Sequence, residues 1–470
     1  MYNKLKVLFM LTLCFSVITA CSTKQEQTST SAPSSLAQES LLPSAPVNVV
    51  FWHSMTGAAA TNIESTAKAY NETVGKEKGI TITPVFQGTY DEASTKLAAV
   101  LRSGSQEELP DIMQLSSKGI FDVKDSKFIV PVQQFIDRDK SGLNASDLNP
   151  NALQYAMYND KMLGLPFSNS SIMLYYNKDH FRSAGLDPEN PPKTLAELAK
   201  TVQALTVKNG DKITRYGISA QLRFFLLGTW IPMQGENKYI FDKEEGRTGT
   251  PTTMTMTSDG TLKTLLTEWQ KVLATGGAEF TDPAPTKGFQ SGLYSMIPAS
   301  TASMGGFKKD IIDAGLFDVG VAELPRVNEA STSGTGIGGS AVYLFDRANK
   351  NSLLGAWDYL KYLATPEVSA KWFMNTGYYP MNTKAMELPE TKEFLVKSPQ
   401  FNIIKKISEN SKNYKKYLEP WIPSFTDVDR IVQDEIIRFS SGSQDLDKTI
   451  GNIDSKSKQM LKDWWQANPQ

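Results

Sequence analysis

Residues 164–187 read GLPFSNSSIMLYYNKDHFRSAGLD, and this stretch holds the pattern that decides the fold. Four small polar residues, 168–171, lead directly into the apolar and aromatic run 172–176, which has the composition of a buried strand. Buried hydroxyl and amide groups need hydrogen-bond partners. The polar quartet therefore has two interpretations: a polar loop before a core strand, or polar groups that await a ligand where the chain passes between two lobes.

Upstream of this stretch, strands alternate with helices. Strands are predicted at 47–52, 80–86 and 111–115, and the second of the intervening amphipathic helices is predicted over 91–103. This alternation predicts an α/β lobe with a mostly parallel sheet. Ligands of such sheets bind beyond the carboxyl ends of the strands, so the candidate binding loops are 53–57, 87–90 and 116–118.

Downstream, the mixed pattern continues and then becomes helical. A capping box at Thr194–Glu197 predicts a helix start. The other predicted elements are a strand at 216–220, a helix at 222–230, a surface loop or hairpin at 242–257, a helix at 258–274, strands at 293–298, 319–324 and 340–345, and helices from residue 388 onward.

Composition bounds the class of protein. The chain has 470 residues, of which 40% are hydrophobic and 21% charged, so it is long enough for more than one globular domain. The formal net charge of −1 provides no basic excess for binding nucleic acid or an anionic membrane surface.

The N-terminal residues predict export. Lys4 and Lys6 precede an apolar segment, 7–17, that is too short to span a bilayer, and residues 18–21 read ITAC, which resembles a bacterial lipobox. Residues 1–20 are therefore predicted to be a signal peptide. The alternative is a plain signal peptide cut further on. It would leave Cys21 without a disulfide partner, because Cys14 is the other cysteine of the chain and would be removed. Lipidation of Cys21 would explain why an exported protein carries a cysteine without a disulfide partner.

Residues 21–46 comprise Cys21 and a segment rich in Ser, Thr, Gln and Pro. Such a composition cannot bury a core, so we expect a disordered tether. As a flexible coil, its reach is roughly 25–30 Å.

Catalytic motifs receive little support. Gly334, Gly336 and Gly339 satisfy G-x-G-x-x-G, but a strand follows where a dinucleotide site needs a helix. We expect instead that Gly338–Gly339 lets the backbone approach a ligand or a neighbouring strand closely. His53 and His180 are not at zinc-ligand spacing, and His53 is predicted to be structural. A pair of carboxylates for glycoside hydrolysis stays open as the enzyme alternative. No metal or other cofactor is expected.

The longest pattern in the chain resembles a known family. Pro166–Phe167, the quartet 168–171, Leu174–Asp179 and the residues Phe181, Ala184–Pro188, Pro191–Pro192 and Thr194 resemble a segment of the extracellular solute-binding proteins that feed ABC importers. The similarity is greatest to the glycerol-3-phosphate-binding branch, which residues 51–55, FWHSM, also resemble. The resemblance implies an α/β fold of two interleaved lobes with a hinge between them and a helical C-terminal region. The lobes would be 47–165 plus 325–363 and 166–324 plus 364–470.

The same resemblance implies a set of ligand contacts, namely Tyr90, Ser117, Ser170, Ser300, Gly339, Tyr378 and Arg430. Spacing alone would make Arg430 a solvated residue paired with Asp434 on the predicted helix. Two departures from the branch leave the substrate open: Ser116–Ser117 replaces an acidic contact, and residues 220–225, AQLRFF, replace a tryptophan pair.

These observations predict a monomeric, lipid-anchored binding protein that has no enzymatic activity and delivers a small polar solute to the transmembrane permease of an ABC importer. The expected solute is sn-glycerol-3-phosphate or a glycerophosphodiester, and a sugar is the alternative. An exported glycosidase and an adhesin-like surface lipoprotein are the rival classes.

Overall fold

The structure is a computed structural model that describes residues 41–121, 123–139, 142–410 and 418–468. The predicted signal peptide, Cys21 and most of the predicted tether lie outside these residues. Within the described part of the chain, no helix combines the length and the apolar character needed to cross a membrane.

Strands and helices alternate over most of the chain, as the sequence predicts. The strands are β1 Val47–His53, β2 Ile80–Phe86, β3 Ile112–Leu115, β4 Ile129–Val130, β5 Met157–Tyr158, β6 Lys161–Met162, β7 Leu165–Pro166, β8 Ser170–Asn177, β9 Val207–Asn209, β10 Lys212–Arg215, β11 Ile218–Ser219, β12 Ala278–Glu279, β13 Met296–Ser300, β14 Val319–Glu323, β15 Ile337–Gly338 and β16 Ala341–Phe345.

The helices are α1 Gly57–Glu72, α2 Val74–Lys78, α3 Tyr90–Ser103, α4 Ser117–Ile120, α5 Gln133–Arg138, α6 Pro150–Tyr155, α7 Lys178–Ser183, α8 Leu195–Leu205, α9 Phe224–Trp230, α10 Asp242–Gly246, α11 Thr261–Leu273, α12 Pro285–Gln290, α13 Ser303–Phe307, α14 Lys350–Leu363, α15 Pro366–Thr376, α16 Pro389–Lys397, α17 Asn402–Asn410, α18 Phe425–Ser440 and α19 Leu446–Ala467.

The first large sheet contains strands β1 to β4, β7 and β16, and we call the part of the molecule around it the first lobe; the part around the sheet of β8 is the second lobe. Its strand order is β2-β1-β3-β16-β4, with β7 also paired to β16. Strands β1, β2 and β3 are parallel, whereas β16 is antiparallel to each strand that it contacts. Strand β2, which contains Pro84, lies at the edge, where a residue without an N–H group costs least.

The second large sheet is built on β8, which lies within the stretch 164–187. Strand β8 lies between β13 and β14 and is antiparallel to both, and β15 pairs with its first two residues. Its side chains from Met173 to Tyr176 are buried, with Tyr175 on one face and Tyr176 on the other, in two different cores. The prediction of a buried strand is confirmed.

Two chain segments cross between the sheets, side by side. The first runs from β7 to β8 through residues 167–169, and the second runs from β15 to β16 through Gly339 and Ser340. The backbone N–H groups of Phe167 and Ser168 both point at the carbonyl oxygen of Ser340, at N···O distances of 3.2 and 3.3 Å. The crossings therefore form one hydrogen-bonded ribbon.

The second crossing is not near Pro325, where the family resemblance placed the return to the first lobe. The indole nitrogen of Trp230 donates to the carbonyl oxygen of Pro325 at 2.8 Å, and Val327 lies in the same core as Trp230. These buried contacts hold residues 325–327 against the second lobe, so the chain returns about a dozen residues later.

Helix α15 also contacts both lobes. Trp372 stacks on Phe167 in the first lobe, at 4.8 Å between ring centroids, whereas Phe373 lies in a core of the second. After the helix, the N–H group of Tyr379 donates to the carbonyl oxygen of Asn169 at 2.8 Å. A third segment thus adds to the ribbon of crossings.

Residues 242–257 are not the predicted surface loop but approach the predicted alternative, a hairpin, since Phe241 and Met254 form an antiparallel bridge. Met254 and Met256 are fully buried, and the Glu245 carboxylate accepts the N–H groups of Ile240 and Phe241 at 2.6 and 3.0 Å. Residues 243–245 have positive φ, so α10 is a left-handed turn rather than a regular helix. The polar sequence is folded inward because the carboxylate satisfies backbone donors that would otherwise be buried alone.

Candidate functional site

A cavity of about 370 Å³ opens beside the two crossings. Most of its wall comes from β8, β13, β15 and the start of α9, so strands from both sides of the central β8 converge on it. The wall includes Ser170, Phe224, Phe225, Ser300, Gly338, Gly339 and Glu419. A cavity of this size suits a small solute, and three of the predicted contacts, Ser170, Ser300 and Gly339, lie on it.

Of the polar residues 168–171, some have hydrogen-bond partners within the protein and one faces the cavity. The Gln114 side-chain nitrogen donates to the hydroxyls of Ser168 and Ser340 at 2.9 and 2.7 Å, and Tyr379 donates to the Ser171 hydroxyl at 2.6 Å. These groups are structural. Ser170 is different, because its side chain lines the cavity and has no hydrogen-bond partner within the described residues. One hydroxyl of the quartet is therefore available to a ligand.

Gly339 brings the crossings into close contact. Its φ is +115°, and a Cβ atom at this position would lie 2.0 Å from the carbonyl oxygen of Ser168. The close backbone approach predicted for this glycine is confirmed. The neighbouring Gly338 is not restricted in this way, since the nearest atom to its ideal Cβ is a Glu419 oxygen 3.8 Å away.

Tyr90 and Tyr378 form a second group, on the first lobe. Both rings pack on the same apolar cluster, and the Gln114 side-chain nitrogen lies 3.4 Å from the Tyr90 hydroxyl. Tyr378 stacks on Trp372, with ring centroids 5.4 Å apart. Burial raises the pKa of Tyr90 to about 12 and also raises the pKa of Tyr378. Both phenols are therefore neutral at physiological pH and can donate hydrogen bonds.

Ser117 lies behind the cavity rather than on its wall. It is buried at the first turn of α4, and its backbone N–H donates to the Tyr155 hydroxyl at 2.8 Å. That hydroxyl lies 2.7 Å from the carbonyl oxygen of Gly339 and 3.1 Å from Oε2 of Glu419. Tyr155 therefore links Ser117 to two residues of the cavity.

The structure does not bring Arg430 to the cavity. Its side chain is 71% exposed on α18, and one guanidinium nitrogen lies 2.8 Å from the Asp427 carboxylate. The ion pair expected from spacing is present, but its partner is Asp427, one turn earlier, rather than Asp434. Such an exposed pair contributes little to stability.

Glu419 is a cavity residue that the sequence analysis missed. It lies near the start of the described range 418–468, and its backbone N–H donates to the carbonyl oxygen of Ile337 at 3.2 Å. Arg247 fixes the same segment, because its guanidinium donates to the Glu419 carbonyl oxygen at 2.9 Å and lies over the Trp421 ring at 4.2 Å. Burial lowers the pKa of Arg247 to about 10, which leaves it cationic at neutral pH. No local motif marks Glu419, since its position depends on contacts distant in sequence.

The remaining chemistry is structural. Nδ1 of the buried His53 accepts the N–H of Met55 at 3.3 Å, and burial lowers the pKa of His53. In the described part of the chain, no group of three or more His, Cys, Asp and Glu side chains could hold a metal ion.

Comparison with curated proteins finds similarity along almost the whole chain. The sn-glycerol-3-phosphate-binding periplasmic protein UgpB of Yersinia pseudotuberculosis is 27% identical over 434 residues, which are 90% of this chain and 94% of that protein. The protein of the same name from Salmonella typhimurium is 27% identical over 439 residues, with the same coverage of each chain.

Solved structures share the fold. UgpB of Mycobacterium tuberculosis, in complex with glycerophosphocholine, has a TM-score of 0.72 and 19% identity, over 90% of this chain and 99% of that one. The cyclic alpha-maltosyl-1,6-maltose binding protein of Arthrobacter globiformis has a TM-score of 0.71 and 19% identity, over 89% of this chain and all of the other. The predicted α/β binding-protein architecture is confirmed.

A family model described as bacterial extracellular solute-binding protein matches residues 65–401, which is well over half of the chain. The chain therefore belongs to the family of bacterial extracellular solute-binding proteins.

Proposed function

We propose that this protein is the solute receptor of an ABC importer and binds its solute in the cavity beside the two crossings. One observation supports the proposal: Ser170 and Gly339 beside the crossings and Ser300 at the end of β13 line one cavity of suitable size. Ser117, Tyr90, Tyr378 and Arg430 are further ligand contacts in this proposal, and they would have to reach the solute from outside that cavity.

The proposed solute is a glycerophosphate, either sn-glycerol-3-phosphate or a glycerophosphodiester. Support comes from the relatives named for binding sn-glycerol-3-phosphate, which match over 90% of this chain. A sugar is the second candidate, because no lysine or arginine is among the described residues that line the cavity. Phosphate sites in proteins commonly use such cations.

The ribbon of crossings is the proposed hinge. Ligand that binds both lobes favours the closed state, and the chain segments between the lobes absorb the rotation. Small-angle X-ray scattering should give a smaller radius of gyration at saturating ligand. An unchanged radius with proven binding would contradict closure.

Export and anchoring complete the proposal. The protein would be exported as a monomer and held at the cell membrane through lipid on Cys21, with the polar segment from residue 22 as the tether. The predicted end of that tether at residue 46 is corrected by the structure, since Leu41 packs on an apolar cluster of the body and the backbone N–H of Ser44 donates to Asn351 at 3.0 Å. Cys21→Ala should abolish lipidation and detergent partitioning. Unchanged mass and partitioning of the variant would refute the anchor.

The decisive experiment is a ligand screen on the mature, unlipidated chain. Thermal shift against glycerophosphates and oligosaccharides should identify the solute, because a ligand at 100 times its Kd adds about 2.7 kcal/mol of stability. Calorimetry then gives the affinity, and recovery of the ligand tests the proposed lack of enzymatic activity. Binding of oligosaccharides alone would overturn the glycerophosphate proposal, and steady product formation would favour a hydrolase.

A further inference from the structure

One buried side chain lies where the first lobe meets both crossings. Gln114 is on β3, and its side chain is almost fully buried. Its amide nitrogen donates to the Ser168 hydroxyl of the first crossing at 2.9 Å and to the Ser340 hydroxyl of the second at 2.7 Å. Its amide oxygen accepts the N–H group of Ser54, in the loop after β1, at 3.0 Å. Gln114 therefore holds the two crossings and one of the candidate binding loops together.

The Tyr90 hydroxyl is part of the same network. It lies 3.4 Å from the Gln114 amide nitrogen, so three acceptors surround a group that has two N–H donors. The shorter distances to Ser168 and Ser340 indicate that both donors bond to the serines in this structure. Burial raises the pKa of Tyr90, and hydrogen bonds with the hydroxyls of Ser340 and Ser168 oppose this increase. Tyr90 is thus connected to both crossings, but its bond from Gln114 is the longest of the three.

The additional acceptor allows the network two arrangements. If the crossings rotate, an N–H donor of Gln114 that leaves one serine can bond to the Tyr90 hydroxyl and does not stay unpaired in the protein interior. Conversely, a solute that fixes the Tyr90 hydroxyl favours one arrangement of the crossings over the other. The network is adjacent to the cavity, since Gly339 of the cavity wall directly precedes Ser340.

We propose that Gln114 is a positioning residue that couples the Tyr90 hydroxyl to the two crossings, so that contact between the solute and Tyr90 favours closure of the lobes. This inference rests on the proposed function, in which Tyr90 is a ligand contact and the ribbon of crossings is the hinge. Gln114 itself is not among the described residues that line the cavity, and it acts through Tyr90 and the two serines. A purely structural glutamine would contribute to stability but would leave the contribution of Tyr90 to affinity unchanged.

A double-mutant cycle on solute affinity separates the two roles. Gln114→Met keeps the length of the side chain and removes its hydrogen bonds, and Tyr90→Phe removes only the hydroxyl. Calorimetry on the mature chain uses sn-glycerol-3-phosphate, glycerophosphocholine and maltose as probes and continues with a probe that the wild type binds. We expect Tyr90→Phe to weaken binding about tenfold in the wild type but about twofold or less in Gln114→Met, because effects within one hydrogen-bond network are not additive.

Gln106→Met is the matched control. The amide nitrogen of Gln106 also donates a hydrogen bond, to the carbonyl oxygen of Asp346 at 2.8 Å, but neither residue belongs to the network around Gln114. Tyr90→Phe should therefore still weaken binding about tenfold in Gln106→Met.

A second cycle tests the link to the crossings and replaces the first if Gln114→Met does not fold. Ser340→Ala removes one acceptor of Gln114 from the second crossing, and its effect on affinity should deviate from additivity with that of Tyr90→Phe by about threefold or more. Additive effects in either cycle would overturn the inference. If a probe binds the wild type and Tyr90→Phe leaves its affinity unchanged, this inference fails and the proposed function stands. If none of the three probes binds, the proposed function fails as well.

Discussion

Substitution of Gly339 by alanine should destabilise the whole protein, because this residue is where the two crossings touch. The added Cβ would lie 2.0 Å from the carbonyl oxygen of Ser168 and 2.9 Å from its carbon. Backbone atoms must move by about an ångström to relieve such an overlap. The contacts that would open are those from the N–H groups of Phe167 and Ser168 to the carbonyl oxygen of Ser340.

The expected loss in the free energy of unfolding is about 2–6 kcal/mol. The two hydrogen bonds contribute roughly 0.5–1.5 kcal/mol each. A residue with a side chain at φ +115° adds strain of about 1–3 kcal/mol. This sum is a large part of the stability of an ordinary domain, about 5–15 kcal/mol.

The matched control is the neighbouring glycine. Gly338→Ala adds the same methyl group one residue earlier, where the nearest atom is 3.8 Å away and the methyl points towards the cavity. Urea unfolding followed by circular dichroism, without ligand, should show a large shift for Gly339→Ala and almost none for Gly338→Ala. Equal stabilities of the two variants would refute the close-contact explanation.

Three further predictions concern titration and the surface. Burial and the nearby Arg215 lower the pKa of His180 to about 4. Between pH 6.5 and 4 the unfolded chain then binds a proton that the folded chain does not, so the free energy of unfolding should fall as pH is lowered. In urea titrations at several pH values, His180→Gln should reduce this dependence on pH. Burial opposes ionisation of Glu435, but hydrogen bonds led by that from Lys456 lower its pKa to about 2. Glu435→Gln should therefore cost about 3–5 kcal/mol at neutral pH in chemical denaturation, and the cost should shrink as pH falls from 4.5 towards 2; a constant cost would contradict the pairing. Arg430→Ala should change the unfolding free energy by less than about 0.5 kcal/mol, because the arginine is exposed. If Arg430 contacts the ligand, calorimetry should show that Arg430→Ala loses affinity by about tenfold or more. Unchanged affinity of the variant would show that Arg430 is an exposed residue without a role in binding.

Local patterns predicted the elements but not how distant segments meet. The run 172–176 identified β8 as a buried strand, because every residue there is apolar. Its antiparallel neighbours β13 and β14 come from residues more than a hundred positions later. No local pattern specifies which strands pair, so the sequence predicted a lobe here without its sheet order.

The position of the second crossing shows the same limit. The return to the first lobe near Pro325 was implied by the family resemblance and not by any local pattern. The contact that decides otherwise is the hydrogen bond from the Trp230 indole to the Pro325 carbonyl, across almost a hundred residues. A tryptophan in an apolar helix is predicted to be a core residue. The partner of its indole N–H depends on how the helix packs, which the local sequence does not specify.

Some residues of the candidate site could be predicted from the sequence and others could not. Ser170, Ser300 and Gly339 lie at or next to strand ends of the second sheet and at the crossing, so a resemblance that locates those strands also locates them. Glu419 comes from a segment without regular structure and is held by contacts to Ile337 and Arg247, far away in sequence. The strands that frame the cavity thus follow from the sequence pattern, whereas the position of Glu419 on its wall depends on tertiary contacts.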